Sequence, residues 1–213
     1  MKKQDARQSL LNILHKESFR YDPAHGFKLS SGKTSDVYID AKTTSLYSEA
    51  MIPLGEVIFE KIKDLNADGI GGLTHGADPI AYAAALTSNL KGKLLNVFVI
   101  RKEPKKHGLM KLIEGPLEKG AKVVIVDDVV TTGGSTITAI KRAKEAGFEI
   151  KKVVVLIDRQ EGGLDAIKRE VNCEVEAIFT KAELLKISKK KIPINVSAKS
   201  SLNKFKNISS QYQ

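Results

Sequence analysis

The run Val123-Val124-Ile125-Val126-Asp127-Asp128-Val129-Val130-Thr131-Thr132-Gly133-Gly134-Ser135-Thr136 narrows the possible folds more than any other part of the chain. Four consecutive β-branched apolar residues, Val123 to Val126, describe a strand buried on both faces, which belongs inside a parallel sheet covered by helices. The expected strand ends at two adjacent carboxylates, Asp127 and Asp128, and a turn of hydroxyls and glycines, Thr131 to Thr136, follows. Helical spacing resumes at Ile137, Ile140 and Ala143, so the turn sits at a helix N-terminus. Unpaired N–H groups and the helix dipole favour an anion there, and glycine lets the backbone approach it closely. A helix cap needs one such residue, so this longer run points to a phosphate.

The rest of the chain repeats the strand-then-helix pattern. Strands are expected near 69 to 73, 94 to 100, 122 to 127, 150 to 157 and 173 to 180, with helices over 48 to 66, 79 to 90 and 181 to 190. That alternation implies an α/β fold with a mainly parallel central sheet flanked by helices and ligand loops at the carboxyl ends of the strands. An amphipathic helix from Asp5 to Lys16 opens the chain, and residues 27 to 40 read as a hairpin around a polar Ser-Ser-Gly-Lys turn. Rival phosphate motifs fail. No Gly-x-x-x-x-Gly-Lys-Ser/Thr occurs, and Gly69-Ile70-Gly71 has Thr74 where a dinucleotide fingerprint needs its third glycine.

The 213 residues suit one α/β domain with embellishments, leaving no length for a fused second enzyme. One cysteine, Cys173, excludes an internal disulfide, and the lysines at the start precede polar residues instead of an apolar signal core. With no apolar run of membrane-spanning length, a cytoplasmic protein is expected. The net charge of +10 fits either nucleic acid or acidic small molecules plus a basic tail. Lysines cluster at 102 to 111 and from Lys186 onward, where no acid follows Glu183, but with no Trp and few aromatics interleaved. Nucleic-acid binding is therefore disfavoured.

The strand, acid pair and Thr/Gly/Ser loop resemble the phosphoribosyl-pyrophosphate (PRPP) motif of the type I phosphoribosyltransferases. Three further segments are similar to one branch, the orotate phosphoribosyltransferases. They are Phe27-x-Leu29-x-Ser31-Gly32-x-x-Ser35, then Arg101-Lys102-Glu103-x-Lys105-x-His107-Gly108, then Asp158-Arg159-Gln160-Glu161. Two departures stand out: Ser30 replaces a lysine that members often carry, and His75-Gly76 replaces a Tyr-Lys pair in the loop after the 69 to 73 strand.

The resemblance implies reversible transfer of ribose 5-phosphate from PRPP to N1 of orotate, giving orotidine 5′-monophosphate and pyrophosphate in pyrimidine synthesis. Asp127 and Asp128 would hold the ribose diol, with Thr131, Thr132, Gly133, Gly134 and Ser135 on the 5′-phosphate. Thr74 and His75 would lie in the pyrophosphate loop; Asp78, near the helix start, reads as a helix cap or as a water-mediated contact to a metal ion. Lys102, Lys105 and His107, with Arg101 alongside, would assist the leaving group. Arg159 would grip the orotate carboxylate, and Ser31 and Gly32 would lie on the base side.

Mg²⁺ would be the cofactor, held mainly through PRPP with water-mediated contact to Asp127 or Asp128. A homodimer is implied, with the catalytic loop 101 to 111 shared across its interface. One phosphoribosyltransferase domain would span 1 to 187, its hood contributed by about 1 to 45, and 188 to 213 would form a basic polar tail. Two alternatives stay open: a phosphoribosyltransferase for another base, and a PRPP-sensing regulator that binds nucleic acid.

Overall fold

The computed structural model describes residues 3–28, 32, 34–103 and 112–191. Helix α1 (Lys3–Ile13) widens into one π-helical turn over Leu14–Ser18 and buries Ala6, Leu10, Leu11 and Leu14 along one face. Four short strands follow: β1 (Phe19–Tyr21), β2 (Phe27–Lys28), β3 (Thr34–Ser35) and β4 (Val37–Ile39). The expected hairpin forms only between β2 and β3, where Phe27 pairs with Ser35. Strand β4 turns back to pair with β1, setting Ile39 opposite Phe19 and Val37 opposite Tyr21. Period-two alternation explains the preference: this register puts Phe19 and Val37 into the core and leaves Arg20 and Tyr38 outside. Helix α2 (Lys42–Ser45) and helix α3 (Ser48–Ile62) complete the N-terminal part.

The central sheet alternates with helices in the expected way. In chain order come β5 (Gly69–Leu73), α4 (Asp78–Leu90), β6 (Asn96–Ile100), β7 (Ile113–Glu114), β8 (Lys122–Val130), α5 (Gly134–Glu145), β9 (Glu149–Asp158), α6 (Gly163–Glu170), β10 (Glu174–Thr180) and α7 (Lys181–Lys191). The sheet order is β10-β9-β8-β5-β6-β7, parallel throughout except for β7, which runs antiparallel to β6. Helices α2 and α6 and strand β7 were not anticipated, because segments this short do not show a period. Helix α7 reaches Lys191, one residue beyond the expected 190; lysine is a good helix former, so the basic run does not end the helix.

Strand β8 is buried on both faces. Val124 and Val126 pack with α1, α3 and α4, whereas Val123 and Ile125 pack with α5 and Ile167 of α6. The helix after β5 thus lies on one face of the sheet and the helix after β8 on the other. Between the carboxyl ends of β5 and β8 the chain diverges, and a crevice opens where open α/β sheets bind ligands. Among the described residues, no helix is long and apolar enough to cross a membrane.

Candidate active site

Strand β8 does not stop at Asp127 and Asp128, as its composition suggested. It stays paired with β9 as far as Val130 opposite Asp158, because Val129 and Val130 resume the β-branched pattern. Pairing with β5 reaches only Gly71 opposite Ile125, so both acids lie beyond the last paired residue on that side, at the crevice. Successive strand residues point to opposite faces, which separates the two carboxylates. Asp127, 5% exposed, faces α5 and accepts Thr136 Oγ1 at 2.6 Å and the Asp128 amide at 3.0 Å. Burial pushes its carboxyl up to about 6; the Thr136 hydrogen bond opposes the rise and the neighbouring Asp128 charge adds to it.

Asp128, 7% exposed, faces the N-terminal hood. Its Oδ1 accepts the Val129 amide at 2.8 Å, and its Oδ2 lies 3.2 Å from the Lys42 ammonium of α2. Burial works against the Lys42 charge, but Asp128, helped by Asp40, outweighs it and holds the ammonium above its ordinary range.

Residues Thr131 to Gly133 join β8 to α5. Gly133 has φ 88°, and a Cβ on it would stand 2.9 Å from the Gly163 carbonyl, so both conformation and space require glycine. A cavity of about 170 Å³ is lined by Asp127, Val129, Val130 and the whole run Thr131 to Thr136. The first-turn amides of α5 have no acceptor within the helix, which suits a phosphate. Thr136 is buried and committed to Asp127, so it positions the carboxylate.

The loop after β5 forms the facing wall. Thr74 Oγ1 donates to Asp78 Oδ2 at 2.6 Å, so Asp78 closes the loop onto Thr74 and makes none of the side-chain capping bonds expected of it. Asp78 Oδ1 is buried with no hydrogen-bond partner among the described residues. His75 is exposed, with Nδ1 3.3 Å from Thr74 Oγ1 and 3.8 Å from Asp78 Oδ2. A Cβ on Gly76 would stand 2.6 Å from Asp128 Oδ1, so the loop backbone lies directly against that carboxylate.

The segment carrying the catalytic-loop motif leaves β6 beside this crevice. Its stem is closed by Ile100 opposite Ile113 and by the Arg101 amide on the Leu112 carbonyl at 2.9 Å. Arg142 of α5 donates to the Arg101 carbonyl and, at 3.1 Å, to the Lys102 carbonyl. Arg159 follows β9, its amide 2.9 Å from the Val130 carbonyl, and its side chain is only 11% exposed while pairing with Glu161 at 2.9 Å. Gly32 is exposed, with φ 80°. Ser31, Lys105 and His107 lie outside the described residues. The structure thus gathers Asp127, Asp128, Thr74 and the Thr131 to Ser135 loop around one crevice and ties Arg159 to its edge. Lys42 and Arg142 were missed by the sequence reading, since their roles come from contacts between distant segments; Thr136 was read as part of the phosphate turn, and its bond to Asp127 was not foreseen.

Residues 55–185 match the phosphoribosyl transferase domain model. The orotate phosphoribosyltransferase of Aquifex aeolicus is 41% identical over 179 residues, covering 84% of this chain and 97% of that protein. That of Streptomyces avermitilis is 38% identical over 181 residues, with the same coverages. Among solved structures, the Mycobacterium tuberculosis orotate phosphoribosyltransferase bound to Fe(III) dicitrate superposes with a TM-score of 0.74 at 32% identity, covering 84% of this chain and 98% of that one. The M. tuberculosis enzyme in complex with PRPP gives 0.67 at 27%, covering 84% and 91%. Together with the crevice at the β5/β8 switch point and its phosphate-sized loop, these matches establish that the chain belongs to the phosphoribosyl transferase domain family, within its orotate phosphoribosyltransferase branch.

Proposed function

We propose that this enzyme transfers ribose 5-phosphate reversibly from PRPP to N1 of orotate, releasing pyrophosphate and forming orotidine 5′-monophosphate, with Mg²⁺ as cofactor. The observation that carries the reading is the convergence on one crevice of a phosphate-sized loop and two buried carboxylates. The 5′-phosphate lies in the Thr131 to Ser135 loop against the α5 amides. The ribose spans the end of β8, with a hydroxyl toward each of Asp127 and Asp128, and its C1 substituent falls toward Gly76.

As the C1–O bond breaks, its electron pair leaves with pyrophosphate and positive charge builds on the sugar, which the two carboxylates moderate. The N1 lone pair of orotate forms the new bond to C1, and the N1 proton passes, directly or through water, to the departing pyrophosphate. Lys102, Lys105, His107 and Arg101 act on the leaving group from the loop 101 to 111, which also excludes water from the reacting sugar. Arg159 binds the orotate carboxylate through a guanidinium preorganised by Glu161, whereas Ser31 and Gly32 border the base.

The donor set suits Mg²⁺. Asp78 Oδ1 is a buried hard oxygen with no hydrogen-bond partner among the described residues, and Asp128 lies against the Gly76 backbone, so these carboxylates would hold a hydrated, pyrophosphate-bound Mg²⁺ directly or through water. When bound, the metal neutralises charge on pyrophosphate.

A homodimer fits the surface. Tyr82, Leu86 and Leu90 recur every four residues on α4 and are exposed, with Leu46, Ile52 and Leu94 exposed on adjoining segments. A second copy of the chain covers this apolar stripe and brings its loop 101 to 111 to the neighbouring site. The working unit comprises residues 1 to 187 with the hood at about 1 to 45, the basic tail takes no part in the chemistry, and the enzyme acts in the cytoplasm.

The test is incubation with PRPP, Mg²⁺ and orotate, followed by orotate's ultraviolet absorbance, with uracil, hypoxanthine and adenine run in parallel. Orotate loss that depends on PRPP and Mg²⁺ is the expected result. Retained PRPP binding with no base consumed would refute the enzymatic reading in favour of a sensor.

A further inference from the structure

We propose that Lys42 is a side-chain cation of the pyrophosphate subsite on the wall formed by the loop after β5, delivered from the N-terminal hood instead of from that loop. The inference rests on the reading of the crevice as a PRPP site.

Position is the first argument. Lys42 Nζ lies 3.2 Å from Asp128 Oδ2, and the other oxygen of that carboxylate is the one a Gly76 Cβ would meet at 2.6 Å. The ammonium and the loop backbone therefore border one carboxylate from two sides. With the 5′-phosphate on the Asp127 side of β8, the leaving group at C1 lies on the Asp128 side, within reach of a lysine stem anchored at residue 42.

Charge is the second. The loop Thr74 to Asp78 contains no lysine or arginine, and Asp78 adds a negative charge to it. Its one ionisable base, His75, is exposed and sits nearest to Thr74 and Asp78. The cations of the loop 101 to 111 and Mg²⁺ reach pyrophosphate from its open side, whereas the wall formed by the loop after β5 offers backbone amides without a full positive charge, and the described ammonium beside that wall is that of Lys42.

Anchoring is the third. Helix α2 is only four residues long, yet its backbone is fixed by a web of bonds. Ser18 Oγ lies 2.8 Å from Thr43 Oγ1 and 2.6 Å from Thr44 Oγ1, Thr43 Oγ1 donates to the Asp40 carbonyl at 2.7 Å, and the Lys42 amide donates to Asp40 Oδ1 at 3.1 Å. Thr44 and Ser45 are fully buried. The side chain of Lys42 itself remains 51% exposed, so its head moves from Asp128 to a ligand oxygen without moving the helix. Asp128 keeps the ammonium in place while the site is empty. The diol then engages the carboxylate, and the lysine stabilises the charge that grows on pyrophosphate as the C1–O bond breaks.

The test uses the full chain with Lys42→Met, which keeps the stem and removes the charge, and Lys42→Arg, which keeps the charge. Calorimetric titration with pyrophosphate, with and without Mg²⁺, is read beside the KM values for PRPP and orotate. Lys42→Met is expected to weaken pyrophosphate about 10- to 100-fold, the range of one charge-assisted hydrogen bond, with the orotate KM unchanged. The deficit should persist without Mg²⁺, and Lys42→Arg should recover most of it. Wild-type pyrophosphate affinity in Lys42→Met would overturn the proposal, as would equal losses for pyrophosphate and orotate, which signal a displaced hood. A deficit confined to Mg²⁺-containing buffer would also overturn it, placing Lys42 on the metal. Absence of pyrophosphate binding by the wild-type protein would refute the PRPP reading of the crevice instead.

Discussion

Replacing Asp127 with asparagine should stabilise the protein while disabling it. Burial raises this carboxyl from an ordinary 3.8 to about 6, so the folded state binds the proton more tightly than the unfolded chain does. Below the ordinary value both states are protonated and nothing is lost. As pH rises from there to the folded value the unfolded chain ionises first, and above about 6 the full penalty of a buried charge is present. A shift of about two units corresponds to about 3 kcal/mol at neutral pH, at about 1.4 kcal/mol per unit.

Asparagine carries no such penalty and still meets both partners. Its Oδ1 accepts the Asp128 amide, and its Nδ2 donates to a Thr136 hydroxyl turned to accept. The stability gap between Asp127→Asn and wild type should therefore grow from near zero at pH 4 to about 3 kcal/mol at pH 7.5, a shift of about 1 M in the urea midpoint for a chain this size. Urea titrations from pH 4 to 8 at one protein concentration measure it, concentration being fixed because the proposed dimer would contribute to stability. A gap that does not change with pH, or a variant less stable than wild type at pH 7.5, would refute burial as the source of the shift. Catalysis carries the opposite sign. Hydroxyls donate best to the ionised acid, so wild-type kcat/KM for PRPP should fall about tenfold per pH unit below about 6, and the variant should be impaired at every pH.

The remaining predictions address other walls of the site. Arg159→Ala should raise the orotate KM at least about tenfold, as expected for loss of a charge-assisted pair, while PRPP binding measured by calorimetry survives; unchanged orotate kinetics would remove Arg159 from the base site. Inactive Lys105→Ala and Asp127→Ala proteins, mixed and allowed to exchange subunits, should regain up to about a quarter of wild-type activity, the share expected when closed dimers pair at random. No rescue would count against a shared loop. Arg142→Ala frees the Arg101 and Lys102 carbonyls at the stem of the catalytic loop; kcat should drop about tenfold with the orotate KM within twofold, and Arg142→Lys should restore part of it. An unaltered kcat would show that the stem needs no such anchor.

Fold class was legible because long strands buried on two faces carry uninterrupted apolar runs rich in β-branched residues, as Val123 to Val126 and Val153 to Ile157 do, and those runs hardly admit another reading. The Thr131 to Thr136 turn at the start of α5 was legible for a related reason: its chemistry is local, with backbone amides, glycines and hydroxyls contiguous in the chain. Strands β1 and β4 were not, because three residues set no period and their pairing depends on which apolar faces meet the core. The end of β8 was misplaced since two acids look like a strand terminus, whereas the β9 ladder carries them on to Val130.

The amino-acid order alone determined which residue types stand at the carboxyl ends of the strands, and with them the class of ligand. It could not determine how Asp127 and Asp128 divide their work. Pleating turns one acid to Thr136 and the other to Lys42, and only the packed layers specify which neighbour waits on each face. Lys42, Thr136 and Arg142 act across 86, 9 and 41 residues of chain respectively on Asp128, Asp127 and the Arg101 carbonyl. The two longer reaches have no sequence signature, because side chains so far apart meet only when the sheet and its helices close around them.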